Sequence, residues 1–310
     1  MIAISDDIEF AKSIFDERLP RWELLETGGI SGIDLLTEKL FAGRDLLCAH
    51  IDNLPGWSYM LISRSAEHSQ YDIVNQLCQE NVGLPHGILC FAGEGRSFHG
   101  FKNRSWSAPS GNIYLTAFFA PDKPIKNFGA GFMALAAVSV VETVDSLAGL
   151  NKMAGIKWIN DIFIDGAKVG GVLAHSHQEG EKLTGVALGI GLNVGMTPSI
   201  EPTFYVPKTT SLYDHCENKT ACSQPQVLFN LIESLDRNYR ILSEAGYKDI
   251  LQKYCQRSLV IGREVEIRPD NENQPSEILA SGLVKSIGDG LELYIEGIPA
   301  PVTHGRLILK

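Results

Sequence analysis

Long hydrophobic runs are missing from this chain: nowhere in its 310 residues does an apolar stretch approach the roughly 18 consecutive residues of a membrane span. Positive charge is also scarce. Lys and Arg total 27 against 37 Asp and Glu, a net charge of −10, and no basic run of the kind that tracks phosphates occurs. Neither a nucleic-acid partner nor a membrane partner is therefore expected. The first residues, Met1 to Asp7, are acidic and lead into no apolar core, so they do not read as a signal peptide, and a cytoplasmic location is expected. The six cysteines, at 48, 78, 90, 216, 222 and 255, form no Cys-X-X-Cys pair and no His/Cys ligand spacing. That pattern argues against a metal centre and against a disulfide framework, and predicts reduced thiols. What remains is 44% hydrophobic and 21% charged, ordinary for a soluble globular chain with one large domain or two unequal ones.

The most informative stretch runs from Lys157 to Leu173. Asp165-Gly166 lies between two apolar runs rich in Ile, Phe and Val, and this dipeptide is the strongest short-range signal for a two-residue β-hairpin turn. The arms carry an unusual load for such strands: Lys157, Asn160, Asp161, Lys168 and the pair Gly170-Gly171. Glycines inside a strand weaken it unless a bulge or a close approach to the backbone requires them. A hairpin presenting cations and bare backbone to an anion is one reading, and an exposed hairpin with solvated lysines is the other.

Elsewhere the pattern predicts a helical stretch from Asp6 to Leu19, a glycine-rich segment at 28 to 32, and an amphipathic piece to about Leu47. A strand follows at Trp57 to Ser63, then a helix at Gln70 to Glu80 and a strand at Gly87 to Ala92 that runs into a loop, Gly93-Glu94-Gly95-Arg96-Ser97-Phe98-His99-Gly100. A glycine-rich loop with one cation can present N–H groups to a phosphate or carboxylate. Asn112 to Ala120 reads as a strand, and Phe128 to Leu147 as a helix apolar nearly all round. A turn is expected at Gln178 to Glu181, a strand from Leu183 to Asn193, and helix over 225 to 255. After Arg257 four short strands follow, broken at Asp270 to Pro275 and at two later glycine-containing turns, as in a small all-β module. His99, His175 and His177 read as exposed strand or loop residues.

Four motifs in order resemble the biotin protein ligase family, within the wider biotin and lipoate ligase superfamily. They are Gly93-Glu94-Gly95-Arg96, the Trp106 to Tyr114 strand, the segment Lys157-Trp158-Ile159-Asn160-Asp161 with Lys168, Gly171 and Leu173, and Gly189-Ile190-Gly191-Leu192-Asn193-Val194. The resemblance covers roughly residues 60 to 310. It implies an α+β fold: a mixed sheet with flanking helices, the class II synthetase-like biotin/lipoate ligase catalytic fold, followed by a small carboxy-terminal SH3-like β-barrel. The implied division is an amino-terminal extension at 1–55, a catalytic domain at 56–255 and the SH3-like domain at 256–310. Residues 1–55 are short for a DNA-binding winged helix and lack Lys and Arg on any recognition helix, so a packed extension is expected.

The activity this likeness implies is ATP-dependent ligation. Biotin is activated as biotinyl-AMP and passed to a lysine of a biotin carboxyl carrier or lipoyl-type acceptor domain, with Mg2+ accompanying ATP, by a monomer or homodimer. Lys168 matches the catalytic lysine, and Arg96 would clamp adenylate or pyrophosphate. Ser69, Gln70, Gly93, Gly95, Trp106, Gly171, Gly189 and Gly191 fall in the acid-binding places. Lys157, Trp158, Asn160, Asp161 and Asn193 fall in the nucleotide-binding places. Three departures stand out: Glu94 replaces an arginine, some five extra residues separate Arg96 from Trp106, and Cys90 and Phe91 stand where the family tends to have glutamine. Lipoate or a medium-chain fatty acid is the alternative substrate these suggest, and a non-catalytic ligand-binding regulator is the alternative of another kind.

Overall fold

The computed structural model describes residues 1–15, 21–25, 31–52, 54, 56–270 and 277–310. Its elements in chain order are β1 (Ile2–Ser5), α1 (Ile8–Phe15), β2 (Glu23–Leu24), α2 (Ser31–Phe41), β3 (Leu47–His50), β4 (Tyr59–His68), α3 (Gln70–Gln79), β5 (Ile88–Ser97) and β6 (Ile113–Phe119). Then come α4 (Phe128–Asp145), β7 (Ala154–Lys157), β8 (Asp161–Ile164), β9 (Ala167–Glu179), β10 (Lys182–Leu192), α5 (Gln224–Arg240) and α6 (Tyr247–Gln256). The chain closes with β11 (Glu264–Arg268), β12 (Ala280–Ile287), β13 (Leu293–Ile295) and β14 (Arg306–Leu309). The expected helix beyond Phe15, the glycine-rich segment at 28 to 30 and the break at 271 to 275 lie outside the described residues.

Among the described residues, ten strands form one mixed sheet in the order β2-β3-β1-β4-β5-β6-β10-β9-β8-β7. Only β1 with β4 and β4 with β5 run parallel, and the remaining pairs are antiparallel. The first fifty residues therefore supply three strands of this sheet. A second sheet of four antiparallel strands, β13-β12-β11-β14, is built from the chain's end. This is the α+β fold expected, and the small second sheet is consistent with an SH3-like module.

Each face of the large sheet is buried by helices. On one side Phe132, Leu135, Val138 and Val141 of α4 join Ile62, Phe91, Leu115 and Ile190 of the sheet in one apolar core. On the other, Leu36 of α2 and Val74 and Leu77 of α3 pack with Leu61, Cys90 and Phe118. Period-2 alternation accounts for the division: Cys90 and Phe91 are neighbours on β5 and point to opposite faces. The apolar α4, long enough by composition to cross a membrane, instead packs inside, with α5 and α6 covering its outer side. Its Glu142 accepts hydrogen bonds from Lys253, Arg237 and Asn238. Burial alone would raise this carboxyl, but those donors outweigh it and hold its pKa at about 2.

Two expectations need correction. The stretch after Ala92 is no loop at first: β5 continues to Ser97, with Glu94 and Gly95 paired to Ser65 and Ala66 of β4. The glycines there serve close packing, since a Cβ at Gly93 would lie 2.4 Å from the Phe10 ring and one at Gly95 2.4 Å from Phe98. The cysteines are not all reduced either. Cys216 and Cys222 form a disulfide, while Cys48, Cys78, Cys90 and Cys255 are free. A six-residue separation joins two short helical turns and is a local clip rather than a framework.

Candidate active site

The hairpin forms as its turn residues require. Asp165 and Gly166 both have positive φ, 47° and 75°, the mirror-image turn that matches strand twist, and Ile164 pairs with Ala167 across it. The register then slips between Ile162 and Phe163, so Phe163 faces Lys168 while Ile162 faces Gly170. Such a bulge re-aims a side chain. Lys168 is the residue beside it, and its backbone is further pinned by hydrogen bonds with Lys208 and Thr210. Its ammonium lies 2.6 Å from Asp161 and 5.1 Å from the centre of the Trp106 ring, with only 17% of the side chain exposed.

Around Lys168 opens a cavity of about 360 Å³. Its floor is β9 and β10, where glycines leave room for aromatic rings. A Cβ at Gly191 would lie 2.6 Å from the Trp106 indole, and one at Gly189 3.0 Å from Tyr71, while at Gly171 the nearest indole atom would be 3.3 Å away. One end is closed by Ser69, Gln70 and Tyr71 at the start of α3, and Gln70 donates from a buried carboxamide to Ser63. Asn160 lines the wall and locks the strands, its side chain donating to the Val172 carbonyl at 2.7 Å. The Trp106 indole N–H and the Asn193 Oδ1, both buried on cavity residues, lack a partner among the described residues. An unsatisfied buried donor or acceptor is costly, and a polar ligand would satisfy both.

Of the residues singled out in the sequence, the cavity brings together Ser69, Gln70, Trp106, Asn160, Asp161, Lys168, Gly171, Gly189, Gly191 and Asn193. It does not bring in Gly93, Gly95, Arg96, Lys157 or Trp158. Arg96 sits near the end of β5 with 77% of its side chain exposed, 3.5 Å from Glu67. Glu94 is likewise exposed and outside the cavity lining. Lys157 lies behind the wall, buried against the Phe163 ring at 5.1 Å, with its ammonium donating to the Tyr205 carbonyl. Burial is the chief cause that lowers its pKa to about 8, with Asp161 opposing and Lys168, Arg306 and Arg104 adding to the fall. Trp158 donates at 2.6 Å to the Leu291 carbonyl and so ties the hairpin to the carboxy-terminal sheet.

Sequence reasoning missed the roof. Phe98, His99, Phe101 and Arg104 come from the connection between β5 and β6, Pro198 to Thr209 from an irregular segment, and Arg306 from β14. Arg104 was legible in principle: it lies two residues before Trp106, inside the apparent insertion. No local pattern announces Arg306, which lies more than a hundred residues from the hairpin and stacks 3.4 Å over the centre of the Tyr205 ring. Thr116 and Tyr71 were hidden by ordinary strand and helix patterning.

The glycine-floored cavity on the mixed sheet thus holds a bulge-aimed lysine, with Arg104 and Arg306 also among its lining residues. Residues 70–193 match the family model described as "Biotin/lipoate A/B protein ligase family". Over those residues the chain is similar to that family. It is 29% identical over 192 residues to the bifunctional ligase/repressor BirA of Bacillus subtilis (strain 168), covering 62% of this chain and 58% of that protein. It is 26% identical over 210 residues to the biotin--[acetyl-CoA-carboxylase] ligase of Paracoccus denitrificans, covering 67% and 81%. Its fold matches a biotin protein ligase from Aquifex aeolicus in complex with biotin and ATP, with a TM-score of 0.60 and 18% identity over 81% of this chain and 98% of that one. The match spans only 58% and 63% of the length of the two Bacillus relatives.

Proposed function

We propose that this protein is an ATP-dependent ligase that converts biotin to biotinyl-AMP and transfers the acyl group to a lysine of a biotin carboxyl carrier domain. The observation that carries the reading is Lys168, held by a bulge and an ion pair in a cavity that also receives Arg104 and Arg306. A carboxylate must approach the α-phosphate of ATP against charge repulsion. Lys168 would sit between them, shedding Asp161 as it engages the ligands, and the developing charge is what a preorganised ammonium stabilises. Arg104 and Arg306 would hold phosphate oxygens. The Trp106 indole and Asn193 Oδ1 would take one polar contact each. Arg96, exposed and turned to Glu67, has a weaker claim to the clamp that its motif suggests. Mg2+ would arrive with ATP, and Asp161 is the carboxylate lining the cavity that could meet it.

The amino-terminal strands are an extension of the catalytic sheet in this reading, and residues from about 256 are an accessory module that adds Arg306 to the roof. Modification of a carrier implies a protein partner that presents a lysine at the cavity mouth. Incubation with labelled biotin, ATP, Mg2+ and a carrier domain tests the reading: label on the carrier supports it, and neither label nor pyrophosphate removes it. A second reading takes lipoate or a medium-chain fatty acid as the substrate; Cys90 and Phe91, which suggested it, lie in the apolar cores and outside the cavity lining, so the choice of acid falls to the assay. Glu94, which motivated the regulator reading, is not among the residues that line the cavity.

A further inference from the structure

The connection between β5 and β6 is itself a small β-hairpin arm. Trp106 donates to the Phe98 carbonyl at 2.9 Å, His99 bridges to Ser105, and Gly100 donates to the Arg104 carbonyl at 2.7 Å. At its tip Lys102 and Asn103 both take left-handed backbone conformations, with φ of 56° and 57°. Asparagine tolerates that region, whereas lysine has no local hydrogen bond to offset it and is uncommon there. The Lys102 ammonium reaches Asp270, just past β11, at 2.8 Å. At its base the arm is held to α3 by His99, whose Nε2 lies 2.8 Å from the Asp72 carboxylate. Between these two ties, Phe98, Phe101 and Arg104 cover the cavity. Arg104 is oriented by the arm's own turn, through a 2.9 Å bond from its Nε to the Phe101 carbonyl.

We propose that the Lys102–Asp270 ion pair is a latch that holds this arm to the carboxy-terminal module over the cavity, making Lys102 and Asp270 positioning residues that act through Arg104. A backbone conformation uncommon for lysine is retained because it carries the ammonium across to a carboxylate just past β11 of the carboxy-terminal module. The latch couples a module that lies outside the glycine floor to the retention of the nucleotide. This inference rests on the ligase reading for the identity of the ligand, but the closure itself can be tested without turnover.

The test uses the full chain as wild type, Lys102→Asp, Asp270→Lys, Lys102→Met and the double charge reversal. Amide hydrogen exchange is followed at Gly100 and Trp106 without ligand, and ATP dissociation is followed after rapid dilution. Each single change should raise both rates about two- to fivefold, the scale of a partly exposed ion pair, and the double reversal should bring both back toward wild type. Lys102→Met keeps the stem while removing the charge, so its effect separates the latch from a packing defect. Unchanged exchange in the single variants, or a double reversal as fast as either single, would overturn the latch. A wild type that makes no pyrophosphate with any acid counts against the ligase reading alone, since the exchange rates still decide the latch.

Discussion

Lys157 ends β7, one strand before the β8–β9 hairpin on which Lys168 lies, and the surroundings of these two cations assign them different behaviour. Lys168 meets Asp161 at the cavity wall and remains accessible to a ligand. Its removal should slow adenylate formation on the order of a hundredfold or more, the scale of deleting one preorganised electrostatic group, with far less effect on binding of the free acid. Single-turnover measurement on Lys168→Ala checks this, with unchanged thermal unfolding as the control that the hairpin still folds. Lys168→Arg should recover only part of the rate, because a planar fork cannot take the place of a compact ammonium without moving both anions. Lys157 is shielded from water, which pulls its pKa from 10.5 to about 8. Because the folded state gives up the proton first, the unfolded chain holds more protons between about pH 8 and 10.5, and stability rises with pH across that window. Relative to Lys157→Met, the wild type should therefore gain stability on going from neutral to alkaline pH, as followed by denaturant unfolding. A flat difference would mean that Lys157 is not buried as a cation.

The hairpin was legible because its determinants are local. Asp165-Gly166 fixes the turn, the turn fixes the register, and the register places Asp161 opposite Gly171 and next to Lys168. The β5 to β6 connection was not legible, because glycines at 93 and 95 mark packing against Phe10 and Phe98 as readily as they mark a loop, and only the folded sheet distinguishes the two. The same glycine logic makes a prediction for β10. Gly191 supports the Trp106 indole from below, so Gly191→Ala should push the ring into the cavity. Overpacking of this kind costs about 1 to 3 kcal/mol. Ligand affinity should fall while the sheet survives, since Gly191 pairs on both sides through backbone hydrogen bonds that a methyl group leaves intact. Calorimetric titration with ATP compares the two proteins, and equal affinity would show that the indole does not border the ligand.

At the scale of the whole molecule, the site is an assembly of distant parts. The floor comes from β9 and β10, which are consecutive in the chain and neighbours in the sheet. The roof draws on three separate stretches: the β5 to β6 arm, residues 198 to 209, and β14. Arg306 and Lys168 are brought together by packing of the carboxy-terminal sheet, through ties such as Trp158 to Leu291, and no periodicity in either segment encodes that contact. Composition could not reveal that Cys216 and Cys222 would meet, because their proximity depends on how two short helical turns follow Asn193. The most direct measurement is ATP–pyrophosphate exchange without any acceptor, run in parallel with biotin, lipoate and octanoate on wild type and Lys168→Ala. Exchange that depends on biotin in the wild type and collapses in Lys168→Ala is the predicted result. Exchange that is indifferent to the acid, or that survives loss of Lys168, would contradict the assignment of this cavity as the place where a carboxylate meets ATP.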